Sequence, residues 1–76
     1  METLKLIWSE ILDVPSEELT TSSSFFELGG SSMLLLSLHA RICHEFAVEF
    51  SIQELLVNPT LEAMLRLIDA EINTKR

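Results

Sequence analysis

The sequence predicts an all-α fold, a small bundle of three long helices and one short helix. Three segments carry apolar residues three or four positions apart, which is the spacing that lines one face of a helix. No segment shows the strict alternation of apolar and polar residues that is typical of a half-buried strand. Proline and hydroxyl-bearing residues separate the apolar segments, where helices are expected to end and begin.

The first helix is predicted over residues 3–13. Glu10 faces away from its apolar stripe, as expected of an amphipathic helix with one buried face. Pro15 is expected to end the helix, because proline disfavours helical geometry in the residue before it. The apolar stripe consists of Leu4, Ile7, Trp8, Ile11 and Leu12.

A long connection, residues 16–31, follows the first helix. One helical turn is expected at its start, with Ser16 as the cap. Residues 20–24 are polar and favour turns, because hydroxyl side chains bond to nearby backbone groups. A loop of this length is unusual in a compact domain and is commonly functional. The residues expected to anchor it to the core are Phe25, Phe26 and Leu28.

The second helix is predicted over residues 32–46, and one of its faces is assigned to the core. This inner face comprises Leu35, Leu38, Ile42 and Phe46. The opposite face comprises Met33, Ser37, Ala40 and His44, with Leu34, Leu36 and Arg41 on the flanks. The first turn therefore carries more apolar surface than one buried face requires.

The third helix is predicted to be short, over residues 52–57. It follows an extended link and begins at Ser51, a residue type that is favoured as a helix cap. Glu54 stands at the third helical position and is expected to complete a capping box with Ser51.

The last helix is predicted over residues 61–72, with Thr60 or Asn58 as its cap. Lys75 and Arg76 are expected to form a frayed tail beyond it. The inner stripe of this helix consists of Leu61, Met64, Leu65 and Ile68.

The 76 residues fit one domain, residues 1–76, with a core spanning about residues 3–72. The formal net charge of −7 disfavours nucleic acid and anionic membranes as partners, because no cationic stripe is available to neutralise phosphates. Cys43, the single cysteine, cannot form an internal disulfide and fits a reducing compartment. No signal peptide or membrane-spanning run is recognisable, so a cytoplasmic domain is expected. The domain is also expected to be a monomer.

The segment of residues 25–33 holds the strongest functional signal. It ends the polar loop with Gly29 and Gly30 and delivers Ser31 and Ser32 where the second helix begins. Unpaired backbone N–H groups and the positive end of the helix dipole favour an attached phosphate there. No general base, metal cluster or nucleotide-binding loop accompanies the serines, which are therefore interpreted as a point of attachment. Chemistry alone does not decide which serine is the point of attachment, since Ser31 could be only the helix cap.

Three landmarks in the chain resemble the phosphopantetheine-binding carrier domains of nonribosomal peptide and polyketide synthesis. Residues 26–32 read F-x-L-G-G-x-S, which matches the attachment signature of that family. Residues 46–50 fall where the family has an aromatic, a small residue and a hydrophobic-acidic-hydrophobic run, and residues 58–61 match the start of its last helix. The resemblance covers nearly the whole chain. It implies a four-helix bundle of the acyl-carrier type, with a long loop between helices 1 and 2.

By this resemblance Ser32 is the modified residue, with Gly29, Gly30 and Ser31 adjacent to it. It carries 4′-phosphopantetheine, which a phosphopantetheinyl transferase moves from coenzyme A. The terminal thiol of the arm holds acyl or aminoacyl groups as thioesters. The partners implied are adenylation, condensation, ketosynthase, acyltransferase, tailoring or thioesterase enzymes. The chain is then a carrier without catalytic activity of its own.

Three residues depart from the family pattern. Ser31 stands where aspartate, histidine or asparagine is common, and the missing aspartate counts against the fatty-acid and polyketide subclass. Met33 replaces the usual leucine and keeps an apolar contact, whereas Ala47 stands where glycine is frequent. The double glycine favours a peptidyl-type carrier, and a polyketide-type acyl carrier is the alternative.

Part of the second helix is a candidate docking surface for partner enzymes, because its inner face already supplies a full core contact. This surface consists of Met33, Leu36, Ser37 and Ala40. The alternative is that the helix is buried more widely and that these residues belong to the core. The resemblance adds that carriers present this helix to their partners.

Two other function classes compete with the carrier interpretation. A hydrolase nucleophile at Ser32 would need a strand–turn–helix setting and a longer chain. A helical adaptor that binds another protein through the second helix needs neither, and it is the better alternative. His39 is interpreted as a boundary histidine with a hydrogen-bond partner, and Cys43 as a half-buried apolar side chain.

Overall fold

The computed structural model describes residues 2–74, and within them it shows four α-helices and no strand. Their bounds are α1 Glu2–Leu12, α2 Ser32–Phe46, α3 Ile52–Val57 and α4 Leu61–Thr74. A single 3₁₀ turn, Ser16–Glu18, lies between α1 and α2, and an isolated bridge pairs Ser24 with Thr60. Three long helices and one short helix were predicted, and this is confirmed. The predicted tail of Lys75 and Arg76 lies outside the described residues.

The inward stripes of the helices meet in one apolar core, as the helical spacing predicts. The fully buried side chains are Leu4, Ile7, Trp8, Leu19, Phe25, Leu35, Leu38, Ile42, Val48, Leu55, Leu61, Met64 and Ile68. Four predicted core residues lie at its margin instead and are half-buried: Ile11, Leu12, Phe46 and Leu65. Three of these four stand in the last two residues of a helix, where neighbouring helices cover a side chain on fewer sides and solvent reaches it.

The end of α1 differs from the prediction that Pro15 terminates it. The helix stops at Leu12, and Asp13 adopts the left-handed conformation with φ 58°. The Val14 N–H then bonds back to the carbonyl of Ser9 at 3.2 Å, a bond typical of helix ends closed by a left-handed residue. Pro15 lies beyond this closure.

The predicted helical turn after Pro15 is present as the 3₁₀ turn, but Ser16 is not its cap. Pro15 occupies the cap position, and no side chain caps the turn there. The Ser16 hydroxyl instead lies 3.4 Å from a carboxylate oxygen of Glu17, to which it donates. A turn this short exposes few backbone donors, so it forms without a side-chain cap.

The long loop is held to the core by Phe25, while Phe26 departs from its predicted anchoring role. Phe25 is fully buried, Leu28 is half-buried against the core, and Phe26 remains 38% exposed. The Phe26 ring meets the Phe25 ring edge-on, with centroids 5.9 Å apart. Phe25 faces the core, and the residue that follows it faces outward.

Backbone hydrogen bonds fasten the same loop to the start of α4. The Phe25 N–H donates to the carbonyl of Pro59 at 2.8 Å. In return, the N–H groups of Leu61 and Glu62 donate to loop carbonyls, those of Ser23 and Thr21, at 3.1 and 2.9 Å. These two donors have no partner inside their own helix, so the loop satisfies them.

Side-chain caps fix the starts of α3 and α4. The Ser51 hydroxyl accepts the Gln53 N–H at 3.2 Å, whereas the Glu54 backbone N–H bonds to the Ser51 carbonyl. Ser51 is therefore the predicted cap, acting through Gln53. Among the described residues the Glu54 side chain makes no return bond to Ser51, so the predicted capping box is not formed. For α4, the Thr60 hydroxyl accepts the Ala63 N–H at 3.2 Å. Thr60 is the cap.

Ala47 ends α2 in a conformation that suits glycine. Its φ is 53° and its ψ is 46°, and its N–H donates to the carbonyl of Cys43. The Val48 N–H bonds to the same carbonyl at 3.2 Å. A side chain in this left-handed region crowds the backbone, which glycine avoids.

Replacing Ala47 with glycine is therefore expected to stabilise the domain. The relief of left-handed strain outweighs the extra entropy of an unfolded glycine, so the free energy of unfolding should rise by about 0.5–1 kcal/mol. Urea unfolding followed by circular dichroism measures this change. Ala40→Gly, in the exposed interior of α2, is the matched control and should lower stability by about 1 kcal/mol. Two variants with the same sign of effect would contradict the assignment of strain to Ala47.

Candidate functional site

The two adjacent serines at the start of α2 have different roles. Ser31 has an extended backbone, φ −123° and ψ 173°, and its hydroxyl accepts the Leu34 N–H at 3.2 Å. Its carbonyl accepts the Leu35 N–H at 2.9 Å. Ser31 is therefore the N-cap of α2, and its side chain is committed to the helix.

Ser32 is the first helical residue and is exposed to solvent. Throughout residues 2–74, no side chain or backbone group makes a hydrogen bond to its hydroxyl. The backbone N–H groups of Ser32 and Met33 likewise have no acceptor among these residues, and the first turn of α2 contains no acidic residue. Free N–H groups and the helix dipole therefore favour an anion bonded to the Ser32 oxygen.

The two glycines before the serines are required for different physical reasons. Gly29 has φ 97°, a conformation that L-residues rarely adopt, although no atom lies within 4 Å of where a Cβ would stand. At Gly30 a Cβ would lie 2.3 Å from Cδ2 of Phe25, so a side chain has no space there. The Gly30 N–H also donates to the Phe25 carbonyl at 3.0 Å. Gly29 turns the chain, and Gly30 lets it pass close over Phe25.

Phe25 connects this turn to the first helix. Its ring meets the ring of Trp8 edge-on, with centroids 5.4 Å apart and planes at 83°. Both side chains are fully buried. The Trp8 Nε1 has no hydrogen-bond acceptor among the described residues, so packing alone holds the indole. The path of the chain toward Ser32 is thus set by a buried aromatic pair.

The predicted docking residues of α2 lie on the surface and not in the core. Met33 is 79% exposed and Leu36 is 56% exposed, and Ser37 and Ala40 are also exposed. The flanking Leu34 is half-buried against the core. The alternative of a more widely buried helix is therefore wrong for these four residues.

Two exposed apolar residues on α3 were missed from the sequence. Leu56 is 48% exposed and Val57 is 84% exposed, whereas Leu55 is buried. Three consecutive residues of a helix point in different directions, so one buried face cannot hold all of them, and this spacing could have revealed the exposure. α2 and α3 pack against each other, and the exposed residues Met33, Leu36, Ser37, Ala40, Leu56 and Val57 are together called the α2–α3 surface.

His39 is a boundary residue with a hydrogen-bond partner, as predicted. Its Nε2 lies 2.7 Å from the carbonyl oxygen of Phe50. Cys43 is a half-buried free thiol, with Sγ 3.6 Å from the same nitrogen. Neither side chain is in hydrogen-bond contact with Ser32, so neither activates that hydroxyl in this geometry. The site can accept a group, but it holds no paired general base.

A comparison with family models matches residues 2–68 to the phosphopantetheine attachment site family. Among curated proteins, the chain is 41% identical over 71 residues to the polyketide synthase-nonribosomal peptide synthetase ffsA of Aspergillus flavipes. The alignment covers 90% of this chain and 2% of the synthetase. The chain therefore spans only a small part of the length of this relative.

Two solved structures share the fold. A peptidyl carrier protein, determined in complex with the phosphopantetheine transferase Sfp and coenzyme A, is similar with a TM-score of 0.83 and 25% identity, covering 91% of this chain and 87% of that one. The docking-domain complex of the Pax nonribosomal peptide synthetase is similar with a TM-score of 0.81 and 37% identity, covering 92% of this chain and 65% of that one.

Gly30→Ala is expected to disturb the aromatic pair beneath the glycine turn. The added methyl group would displace the Phe25 ring, so the free energy of unfolding should fall by about 1–3 kcal/mol. The emission of Trp8, the single tryptophan, should also shift in the folded state. Fluorescence and urea unfolding measure the two effects.

Gly29→Ala is the matched control for that experiment. It strains the backbone but touches no neighbouring atom, so the emission of folded Trp8 should stay as in the wild type. Equal emission shifts in the two variants, or no shift in Gly30→Ala, would show that Gly30 does not pack closely against Phe25.

Proposed function

The chain belongs to the phosphopantetheine attachment site family, and on this premise we propose that Ser32 carries a 4′-phosphopantetheine arm. The observation that supports Ser32 is the division of roles between the two serines. The Ser31 hydroxyl is bonded to the Leu34 N–H, whereas the Ser32 hydroxyl is exposed and has no partner among residues 2–74.

Attachment forms one bond and breaks another. On a phosphopantetheinyl transferase, the Ser32 oxygen would bond to the phosphorus of coenzyme A that bears the pantetheine. The P–O bond of the pyrophosphate on the far side of that phosphorus would break, adenosine bisphosphate would leave, and the hydroxyl proton would pass to solvent. The free N–H groups of the first turn of α2 stabilise the phosphodiester anion that remains. The arm, when bound, supplies a thiol that holds an acyl or aminoacyl group as a thioester.

The proposed role is that of a tether without catalysis of its own. A flexible arm fixed at Ser32 gives its cargo a high effective concentration at each enzyme within reach. No general base is paired with the serine in the described part of the chain, which supports attachment over turnover. A cytoplasmic location and a monomeric state stay predictions.

A peptidyl-type carrier is the specific form that we propose. The similar solved structures include a peptidyl carrier protein and part of a nonribosomal peptide synthetase, and the curated relative combines that activity with a polyketide synthase. The proposed partners are adenylation and condensation enzymes, followed by tailoring or thioesterase enzymes. In the alternative, a polyketide-type carrier, ketosynthase and acyltransferase enzymes take their place. The kind of enzyme that charges the thiol distinguishes the two.

We propose that the transferase binds the α2–α3 surface. Met33 directly follows Ser32, so an enzyme that reaches the serine must lie against the first turn of α2. The apolar side chains there contribute to binding once water is excluded from them. The similar peptidyl carrier protein was solved with a transferase bound, which supports this choice of partner.

Incubation with coenzyme A and a promiscuous phosphopantetheinyl transferase tests the attachment. The wild type should gain the mass of one phosphopantetheine group in intact mass spectrometry. Ser32→Ala should gain nothing, because the esterified oxygen is missing. Ser31→Ala should still be modified, with stability lowered by about 1 kcal/mol through loss of the cap. Modification of Ser32→Ala but not of Ser31→Ala would assign the arm to the other serine.

Leu36→Ser tests the docking surface against a matched residue on another helix. Leu36 and Leu6 are both 56% exposed, but Leu6 lies on α1. Leu36→Ser should lower kcat/KM for loading by about fivefold or more, while Leu6→Ser should leave loading unchanged. Circular dichroism should show similar helicity for both variants. An equal loss of loading, or unfolding of Leu36→Ser alone, would contradict the proposed surface.

A further inference from the structure

A hydrogen bond from His39 joins α2 to the residue that precedes the cap of α3. The Nε2 atom lies 2.7 Å from the Phe50 carbonyl oxygen, and the imidazole packs edge-on against the Phe50 ring with centroids 5.1 Å apart. Because a carbonyl oxygen only accepts, the hydrogen is assigned to Nε2, which donates. The same side chain therefore holds both the backbone and the ring of Phe50.

The neighbouring thiol does not compete for this bond. Cys43 Sγ lies 3.6 Å from the His39 Nε2, whose hydrogen points toward the shorter and stronger oxygen contact. The contact is therefore a fixed link between α2 and Phe50.

The short helix depends on contacts outside itself. An isolated helix of six residues is unstable in water, and α3 buries only Leu55 completely. Its cap, Ser51, directly follows Phe50. The bond from His39 thus fixes the chain at the point where α3 begins. It thereby fixes the orientation of α3 relative to α2.

We propose that His39 is a positioning residue for partner recognition. By fixing the start of α3, it holds Leu56 and Val57 in the arrangement relative to α2 that partner enzymes bind. The inference rests on the proposed function, because it requires the transferase to contact the α2–α3 surface. His39 stands about two helical turns beyond Ser32 and takes no part in the attachment step.

Three variants of the full 76-residue chain separate this role from simple packing. His39→Leu removes the donor and keeps an apolar side chain. His39→Gln restores an N–H donor on a side chain of similar reach. His44→Leu changes the exposed histidine of the same helix and is the matched control. Amide hydrogen exchange and steady-state loading by the transferase are measured for each.

In His39→Leu the amides of α3 should exchange about tenfold faster, while those of α1 and α4 keep their protection. The KM of the carrier for loading should rise about three- to tenfold with kcat unchanged, since only binding is affected. His39→Gln should restore both values, and His44→Leu should match the wild type.

Unchanged exchange in α3 would overturn the proposal, and so would faster exchange with an unchanged KM. Loss of protection in all helices, without rescue by His39→Gln, would reduce His39 to a packing residue and also overturn it. Failure of the proposed function has a different signature, because the wild type itself would then gain no arm. That result would overturn the recognition step, and the exchange data would still decide whether His39 orients α3.

Discussion

The packing of Phe25 is the constraint on which the position of Ser32 depends. Its ring is buried edge-on against Trp8, its N–H bonds to Pro59, and its carbonyl accepts the N–H of Gly30. One residue thus ties the first helix, the start of the last helix and the glycine turn together. Because Gly30 passes so close to the ring, the next residues leave the core in a fixed direction, and Ser32 reaches solvent.

In the rest of the domain, the side chains that form the core and the apolar side chains that face solvent lie on different helix faces. The buried faces of α1, α2 and α4 form the core, while the first turn of α2 and the end of α3 expose apolar side chains. The exposed part of an apolar side chain adds no burial energy, and a domain this small has little area available for burial. An apolar surface beside an attachment point is understandable when another protein covers it during each transfer.

Local rules in the sequence were sufficient for most elements. The bounds of α2 and α3 were predicted correctly, and hydroxyl caps were found at Ser51 and Thr60. Local rules failed where two signals competed. Pro15 was expected to end α1, yet the helix closes earlier, because the left-handed conformation of Asp13 lets the Val14 N–H donate to the free carbonyl of Ser9. Adjacent phenylalanines were both expected inside, but only Phe25 is fully buried and Phe26 remains 38% exposed.

The sequence by itself determined the helices, their inward faces and the family of the attachment motif, because spacing and caps involve residues within about four positions of one another. Only the tertiary structure decided which serine is the cap and which is free, why Gly30 must lack a side chain, and which carbonyl His39 binds. The His39 bond joins α2 to a residue beyond the end of that helix, and the Gly30 contact depends on how the Phe25 ring packs against Trp8 of the first helix. The space that Phe25 leaves beside Gly30, and the distance from His39 to the Phe50 carbonyl, are set only when the helices pack.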